Sequence, residues 1–443
     1  MVAAFSGGNG ADDADRTETV RSAVRGGTAR YVILFVGDGL GDSEITAARN
    51  YAVGPGGRLA LDTLPLTGAY TTYSVLESDP AVPDFVPDSA ATGTAWATGH
   101  KTSNGRIATS PGDDRDWPTI LELAQQRGYR TGDVTTAELT DATPAVLAAH
   151  VAHRSCQGPA DMDRCAQDRK SAGGPGSIAE QLIDHRVDVL MGGGYARFDQ
   201  PTDAGPLVVQ HAIAAGYRIV TAASGLEYVR PELQRRLLGL FAAGNMTVEW
   251  RGGEALPFPS NTAAPQTCQE DRRPTHEPSL AEMTAKAIEL LSGAGGATFF
   301  LQVEGASIDK QDHAANPCAQ IGETIAFDRA VRVGLEFAKD HSDTLIVVTA
   351  DHGHTSQIVG TPTDADHPTG LLSTLRTRSG ASMTISYSTN SYHRSQDHTG
   401  TQVRIAAQGP QAANVVGVID QTDLFRLLDR ALAPTRRSSD RQP

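Results

Sequence analysis

The chain alternates short apolar runs with helical patterns along most of its length. Residues 31–36, 131–134, 187–191, 299–303 and 344–349 read as strands, and residues 89–98, 119–127, 178–185, 280–292 and 322–340 read as helices. A strand can pair in parallel with the next only through a long crossover, and the intervening helices supply one. The expected fold is therefore α/β, with a large, mostly parallel central sheet and helices on both faces, a three-layer sandwich. There is no internal repeat and no linker between two cores, so residues 30–432 are expected to form one domain. Residues 1–29 read as a flexible N-terminal arm with a short helix near 18–24, and residues 433–443 as a disordered C-terminal tail. Segments 157–176 and 254–277, rich in Gly, Pro and polar residues, read as surface insertions.

Sites in open α/β sheets form at the carboxyl ends of strands. Four of the expected strands end near possible ligands. Asp38 follows the first, Asp141 and Thr143 follow the second, Glu304 follows the run at 299–303, and Asp351, His352 and His354 follow the run at 344–349. One such Asp would most often cap a helix. Four strands converging on ligand residues point to a cation centre.

Residues 298–313 are the densest case. A buried-strand pattern stops at Glu304, and Asp309, Lys310, Asp312 and His313 follow within ten residues. Asp309 and His313 are four apart, so one helical turn puts them on the same side. On the residues alone Asp312 is as eligible as Asp309; without a ligand role it is expected to be a solvated or capping carboxylate. Ser89 opens a run of small, helix-compatible residues after Asp88. Either residue could be an N-cap, but a helix N-terminus also attracts anions, and a Ser there could attack phosphorus if its hydroxyl were activated. No Gly-x-Ser-x-Gly elbow surrounds it, so a cation is the available activator.

The formal charge of −14 and the lack of a basic block argue against nucleic acid as a partner. No apolar run is long enough to span a bilayer, so no membrane role is expected. The four cysteines, Cys156, Cys165, Cys268 and Cys318, include no Cys-x-x-Cys spacing. Their even number suggests two disulfides and an oxidising compartment, with four free buried thiols as the alternative. The first residues lack the features of a signal peptide, so the chain is expected to start at a mature terminus with an added Met.

These segments resemble the alkaline phosphatase family. The resemblance rests on Gly37-Asp38-Gly39-Leu40-Gly41-Asp42-Ser43, Asp88-Ser89-Ala90-Ala91, Thr136-Ala137-Glu138-Leu139-Thr140-Asp141-Ala142-Thr143-Pro144, residues 302–318, Thr349-Ala350-Asp351-His352-Gly353-His354 and His398-Thr399-Gly400. It runs from about residue 30 to about residue 432 and implies an alkaline phosphatase-like fold. It also implies two zinc ions and one magnesium per chain. Asp309, His313 and His398 would hold the first zinc; Asp38, Asp351 and His352 the second; Asp38, Thr143 and Glu304 the magnesium. Asp141 would order a water on the magnesium, Lys310 would reach phosphate through water, and Arg154 would grip two phosphate oxygens. Ser89 would be the nucleophile and His354 a partner of Asp309. The pairs Cys156–Cys165 and Cys268–Cys318 fall where the family has disulfides.

The donor chemistry agrees independently. His and carboxylate ligands without thiolate suit catalytic zinc, oxygen ligands suit magnesium, and the Arg fork matches phosphate. The implied activity is hydrolysis of phosphate monoesters to alcohol and inorganic phosphate through a phosphoserine, by a homodimer in the periplasm or secreted. The alternative is a phosphodiesterase or other hydrolase of the superfamily. His153 stands beside Arg154 where enteric members carry a small hydroxyl residue. The isolated histidines, His100, His150, His185, His211, His276, His341, His367 and His393, are expected to have surface or core roles only.

Overall fold

The structure is a computed structural model and describes residues 15–231, 236–260, 264–270, 273–293 and 297–432. Its centre is a ten-stranded sheet. In chain order the strands are β1 (Tyr31–Gly37), β2 (Leu66–Thr71), β3 (Arg130–Glu138), β4 (Val189–Gly193), β5 (Tyr217–Val220), β6 (Arg236–Leu240), β7 (Phe299–Gly305), β8 (Thr344–Ala350), β9 (Val403–Gln408) and β10 (Gly417–Asp420). Their spatial order is β10-β2-β9-β8-β1-β7-β3-β4-β6-β5. Only β9 runs against the rest, pairing antiparallel with β8 and β2. The expected α/β sandwich with a mostly parallel sheet is what forms.

All seven residues of β1, β7 and β8 are buried. That explains their continuous apolar sequences: a central parallel strand has no solvent face, so it does not alternate. Helices α1 (Ser89–Thr98) and α2 (Ile120–Gln126) cover one face with the helix Gln421–Ala431. Helices α4 (Leu280–Ser292) and α6 (Pro317–Asp340) cover the other. Helix α3 (Ile178–Asp184) precedes β4, and α5 (Ser307–His313) follows β7 directly. Phe35 on β1 meets Phe327 on α6 edge-on at 6.2 Å. Each such fully buried large side chain contributes about 1.5–3 kcal/mol by leaving water.

The register of the central strands positions the chemistry. Val36 pairs with Glu304 on one side and Thr349 on the other. Asp38, Glu304 and Asp351 therefore emerge side by side at the carboxyl edge of the sheet. Gly39 makes the turn after β1 with φ +66°, and a Cβ there would stand 3.1 Å from both the Asp309 Cα and the His354 ring. That left-handed, close-packed position suits glycine alone.

Some elements differ from the sequence reading. Residues 254–277 are not purely surface insertion, because Leu256–Pro257 pairs with Leu371–Arg376 in a separate four-stranded sheet. Helix α6 begins at Pro317, five residues before the expected start, with Asn316 capping the amide of Ala319. The short helix of the N-terminal arm forms at Thr17–Ala23 and buries none of its residues. The first part of that arm and the expected tail at 433–443 lie outside the described residues. Both disulfides, Cys156–Cys165 and Cys268–Cys318, are formed. No helix among the described residues is long and apolar enough to cross a membrane.

Candidate active site

Ser89 is the first residue of α1 and is buried. The cap is Asp88, whose Oδ1 accepts the Ala91 amide at 3.0 Å, so Ser89 is free for other work. Its Oγ lies 3.3 Å from His352 Nε2 and 3.5 Å from Asp38 Oδ1. Asp38, Asp351 and His352 form one compact buried group able to hold a cation. Asp309, His313, His354 and His398 form a second. Beside them, Glu304 accepts from Thr135 Oγ1 at 2.5 Å, and the Thr143 hydroxyl faces the Glu304 carboxyl.

Hydrogen bonds at the far nitrogen of each ring sort the histidines by role. His352 Nδ1 donates to the Gly353 carbonyl, His398 Nδ1 to Pro87 and His313 Nδ1 to Gln396. Each of these three, as neutral imidazole, turns a bare Nε2 lone pair inward. His354 is the reverse: its Nδ1 accepts the Thr355 amide at 2.9 Å, so its proton sits on Nε2. That proton faces Asp309 Oδ1 at 3.1 Å. On that tautomer His354 turns a proton, not a lone pair, toward Asp309.

The inward atoms do not satisfy one another. His313 Nε2 and His398 Nε2 are 3.1 Å apart. His352 Nε2 is 3.1 Å from Asp351 Oδ2, an oxygen that is buried without a hydrogen bond. Two acceptors at that distance repel unless a proton or cation lies between them. Burial, reinforced by the charges of Asp309 and Asp351, pushes Asp38 well above the usual carboxylate range. Burial likewise raises Glu304 to about 7. A crowd of buried carboxylates and imidazole lone pairs, without thiolate, fits hard and borderline divalent cations. The Thr143 hydroxyl, buried with no hydrogen-bond partner, adds an oxygen donor beside Glu304.

Two positive side chains border the site. Arg154 donates from Nη1 to Asp88 Oδ2 at 3.2 Å and from Nη2 to Asp141 Oδ1 at 2.8 Å. Lys310 donates to Asp141 Oδ2 at 2.9 Å. Burial opposes ionisation of Asp141, but Lys310 and Arg154 overcome it and hold its carboxyl well below the usual range. The hold of Asp88 on Arg154 has no motif in the sequence; it arises because Asp88 also accepts the Gly105 amide and Arg154 donates its own amide to Gly105.

Two expectations change. Asp312 is neither solvated nor a cap: it is fully buried, neither oxygen has a hydrogen-bond partner, and burial with the nearby Glu44 charge pushes its carboxyl well up. His150 and His185, expected to be isolated, converge on Glu122. His153 lies apart from the cation groups, with Nδ1 2.8 Å from Ser155 Oγ and Nε2 accepting from Arg164 at 2.9 Å.

A mostly parallel α/β sheet that delivers two cation-binding groups and a buried serine to one edge, with a guanidinium and an ammonium beside them, defines a metal-dependent phosphoryl-transfer hydrolase. Within that class, the alkaline phosphatase family profile matches residues 29–395 and 389–433, and the chain belongs to this family. It is 51% identical over 430 residues to the alkaline phosphatase of Escherichia coli strain K12, covering 94% of this chain and 89% of that one. It is 52% identical over 416 residues to streptomycin-6-phosphate phosphatase of Streptomyces griseus, covering 91% and 90%. The alkaline phosphatase of the Antarctic bacterium TAB5 superposes with TM-score 0.70 at 23% identity, covering 93% of this chain and all of that one, a likeness of fold. The protein is a phosphate monoester hydrolase, and its chemistry is metal dependent.

Proposed function

We propose that hydrolysis proceeds by double displacement through a phosphoserine at Ser89. Asp309, His313 and His398 would hold one zinc, Asp38, Asp351 and His352 a second, and Asp38, Thr143 and Glu304 a magnesium. When bound, these cations lower the hydroxyl pKa of Ser89 and neutralise charge on the attacking and leaving oxygens. The observation that carries this reading is Ser89 Oγ, buried and 3.3–3.5 Å from two members of one cation group.

Ser89 Oγ attacks phosphorus as the ester oxygen departs to give the alcohol. Arg154, held by Asp88 and Asp141, offers its remaining N–H donors to two phosphate oxygens, a bidentate match that a point-charge Lys cannot copy. Asp141 keeps Lys310 beside the phosphate, so positive charge is supplied without crowding phosphorus. Water then attacks the phosphoserine, releasing inorganic phosphate and restoring Ser89. Nothing in this scheme grips the leaving group, so a broad range of monoesters is expected. The two disulfides support a periplasmic or secreted location. A homodimer is proposed on the family likeness.

Two measurements test the reading. Acid quenching during turnover of a monoester should trap phosphate on the peptide containing Ser89, and metal analysis should find zinc and magnesium near two to one. An unphosphorylated Ser89 peptide, or faster hydrolysis of diesters than of monoesters, would overturn it.

A further inference from the structure

We infer that Glu122, His150 and His185 form a further cation site, separate from the catalytic centre and suited to zinc. The three come from distant parts of the chain. Glu122 lies in the first turn of α2, His150 stands four residues before Arg154, and His185 is the C-cap of α3. One ligand atom of each lies within 4.8 Å of the others. Glu122 Oε1 is 3.2 Å from His150 Nε2 and 2.8 Å from His185 Nε2.

The rings are oriented as the ligand histidines of the catalytic centre are. His150 Nδ1 donates to the Ala108 carbonyl at 3.2 Å, and His185 Nδ1 to the Gln181 carbonyl at 3.0 Å. Both Nε2 atoms therefore point at one place, and in neutral rings both carry lone pairs there. Glu122 is fixed as well: its Oε2 accepts the Thr119 amide at 2.8 Å in a capping box, which leaves Oε1 for the site. The segment bearing His150 is locked to α3, because the His150 amide donates to Gln181 Oε1 and the Gln181 amide donates back to the His150 carbonyl. Three preset ligands incur little ordering cost on binding.

The donor set selects the ion. Two imidazoles and one carboxylate suit zinc or a neighbouring borderline cation; magnesium prefers all-oxygen ligands and calcium needs more of them. Three protein ligands leave a fourth tetrahedral position. Side-chain exposures of 9% for His150, 17% for Glu122 and 26% for His185 leave that position open to water. The Asp116 carboxylate interacts electrostatically with both imidazoles and adds negative charge near them. Without metal, protons on the two rings satisfy Glu122; zinc displaces them, so uptake strengthens as pH rises. The bound ion would clip α2 and α3 to the segment that runs on to Arg154.

The test uses holoenzyme with its catalytic cations in place, titrated with zinc at alkaline pH and desalted by gel filtration. The wild type is expected to retain one more zinc per chain than His185→Ala. Added zinc should raise the melting temperature of the wild type and leave that of the variant unmoved. Cobalt in place of zinc should add a visible d–d absorption that the variant lacks. His185→Gln, which keeps a polar side chain and serves if the alanine variant folds poorly, should behave like His185→Ala. Equal zinc content in wild type and folded variants, with no cobalt band assignable to the site, would overturn the inference and leave the cluster an ion-pair triad.

Discussion

Arg154 Nη2 donates to Asp141 Oδ1 across 2.8 Å, and the other oxygen of that carboxylate accepts from Lys310 Nζ at 2.9 Å. One partly buried carboxylate thus holds both side-chain cations. With Asp88 on its other arm, the guanidinium is preset in a single plane before phosphate arrives. Preorganisation of this kind removes the ordering cost from the binding step.

Replacing Arg154 by Ala should therefore raise KM for a monoester and lower kcat/KM roughly 100-fold, about 3 kcal/mol for two charge-assisted hydrogen bonds. Arg154→Lys should fall between, because it restores the charge without the fork. Steady-state kinetics with inorganic phosphate as competitive inhibitor separates the two effects. Unchanged phosphate inhibition in Arg154→Ala would remove the residue from phosphate binding.

Ser89→Ala takes away the proposed nucleophile and leaves both candidate cation groups whole. Turnover should drop on the order of 10³-fold or more, while zinc and magnesium contents stay at wild-type values. Acid-quenched samples should contain no phosphopeptide. Retained turnover with normal metal content would mean that water attacks the ester directly.

Stripping the cations should do more than stop catalysis. It leaves Asp38, Asp351 and Glu304 buried together, with only the protons they can recruit. A chelator should lower the melting temperature as well as abolish activity, because ions bound only by the folded state stabilise it. Zinc with magnesium should restore both; magnesium alone should not, since the imidazole groups are poor sites for it. Calorimetry and activity on the same stripped sample check this.

Much of this site is legible in the sequence, and the reason is local. Asp38, Glu304 and Asp351 sit at the ends of apolar runs whose burial is written in their composition, and Asp309 and His313 share one helical turn. Helices α1 and α4 fall at their expected bounds because caps fix them, Asp88 for one and Ser279 for the other. What was hidden depends on long-range packing. Strands β2 and β10 are partly exposed and carry mixed residues, so no apolar run betrays them. Asp312 sits on the buried side of a short helix that its polar sequence does not reveal. His150 and His185 are separated from Glu122 by 28 and 63 positions, and only tertiary contacts, such as Gln125 with the His185 backbone and Gln181 with the His150 backbone, bring them together.

The two disulfides should differ in worth. Cys268–Cys318 spans 50 positions and Cys156–Cys165 spans 9. Chain entropy of loop closure gives about 4 kcal/mol for the first and about 3 kcal/mol for the second. The long bridge also ties the segment after Trp250 to the start of α6, next to the helix that carries Asp309 and His313. Cys268→Ser with Cys318→Ser should therefore lower the denaturation midpoint more than the corresponding pair at 156 and 165, and should slow recovery of zinc after stripping. Equal losses in denaturant titrations of the two double variants would show that loop length does not govern here.

Glu323 on α6 links stability to pH away from the catalytic groups. It is buried, its Oε1 accepts the Glu249 amide at 2.7 Å, and burial pushes its carboxyl up to about 8, with the Glu249 charge adding and Arg273 opposing. The folded protein thus keeps this proton to about pH 8, whereas the unfolded chain, at the ordinary value of 4.5, has already lost it. Between those limits the folded state binds more protons, so stability falls as pH rises. The contribution is full below pH 4.5 and lost through pH 8, on the order of a few kcal/mol. Glu323→Gln copies the protonated form and keeps the oxygen that accepts the Glu249 amide. Its melting temperature should match the wild type in acid and exceed it by a few degrees above pH 8, a shift of the size such a free energy gives in a chain this long. Melting curves of the two proteins across that range decide the point: parallel profiles would mean that Glu323 ionises freely in the folded protein.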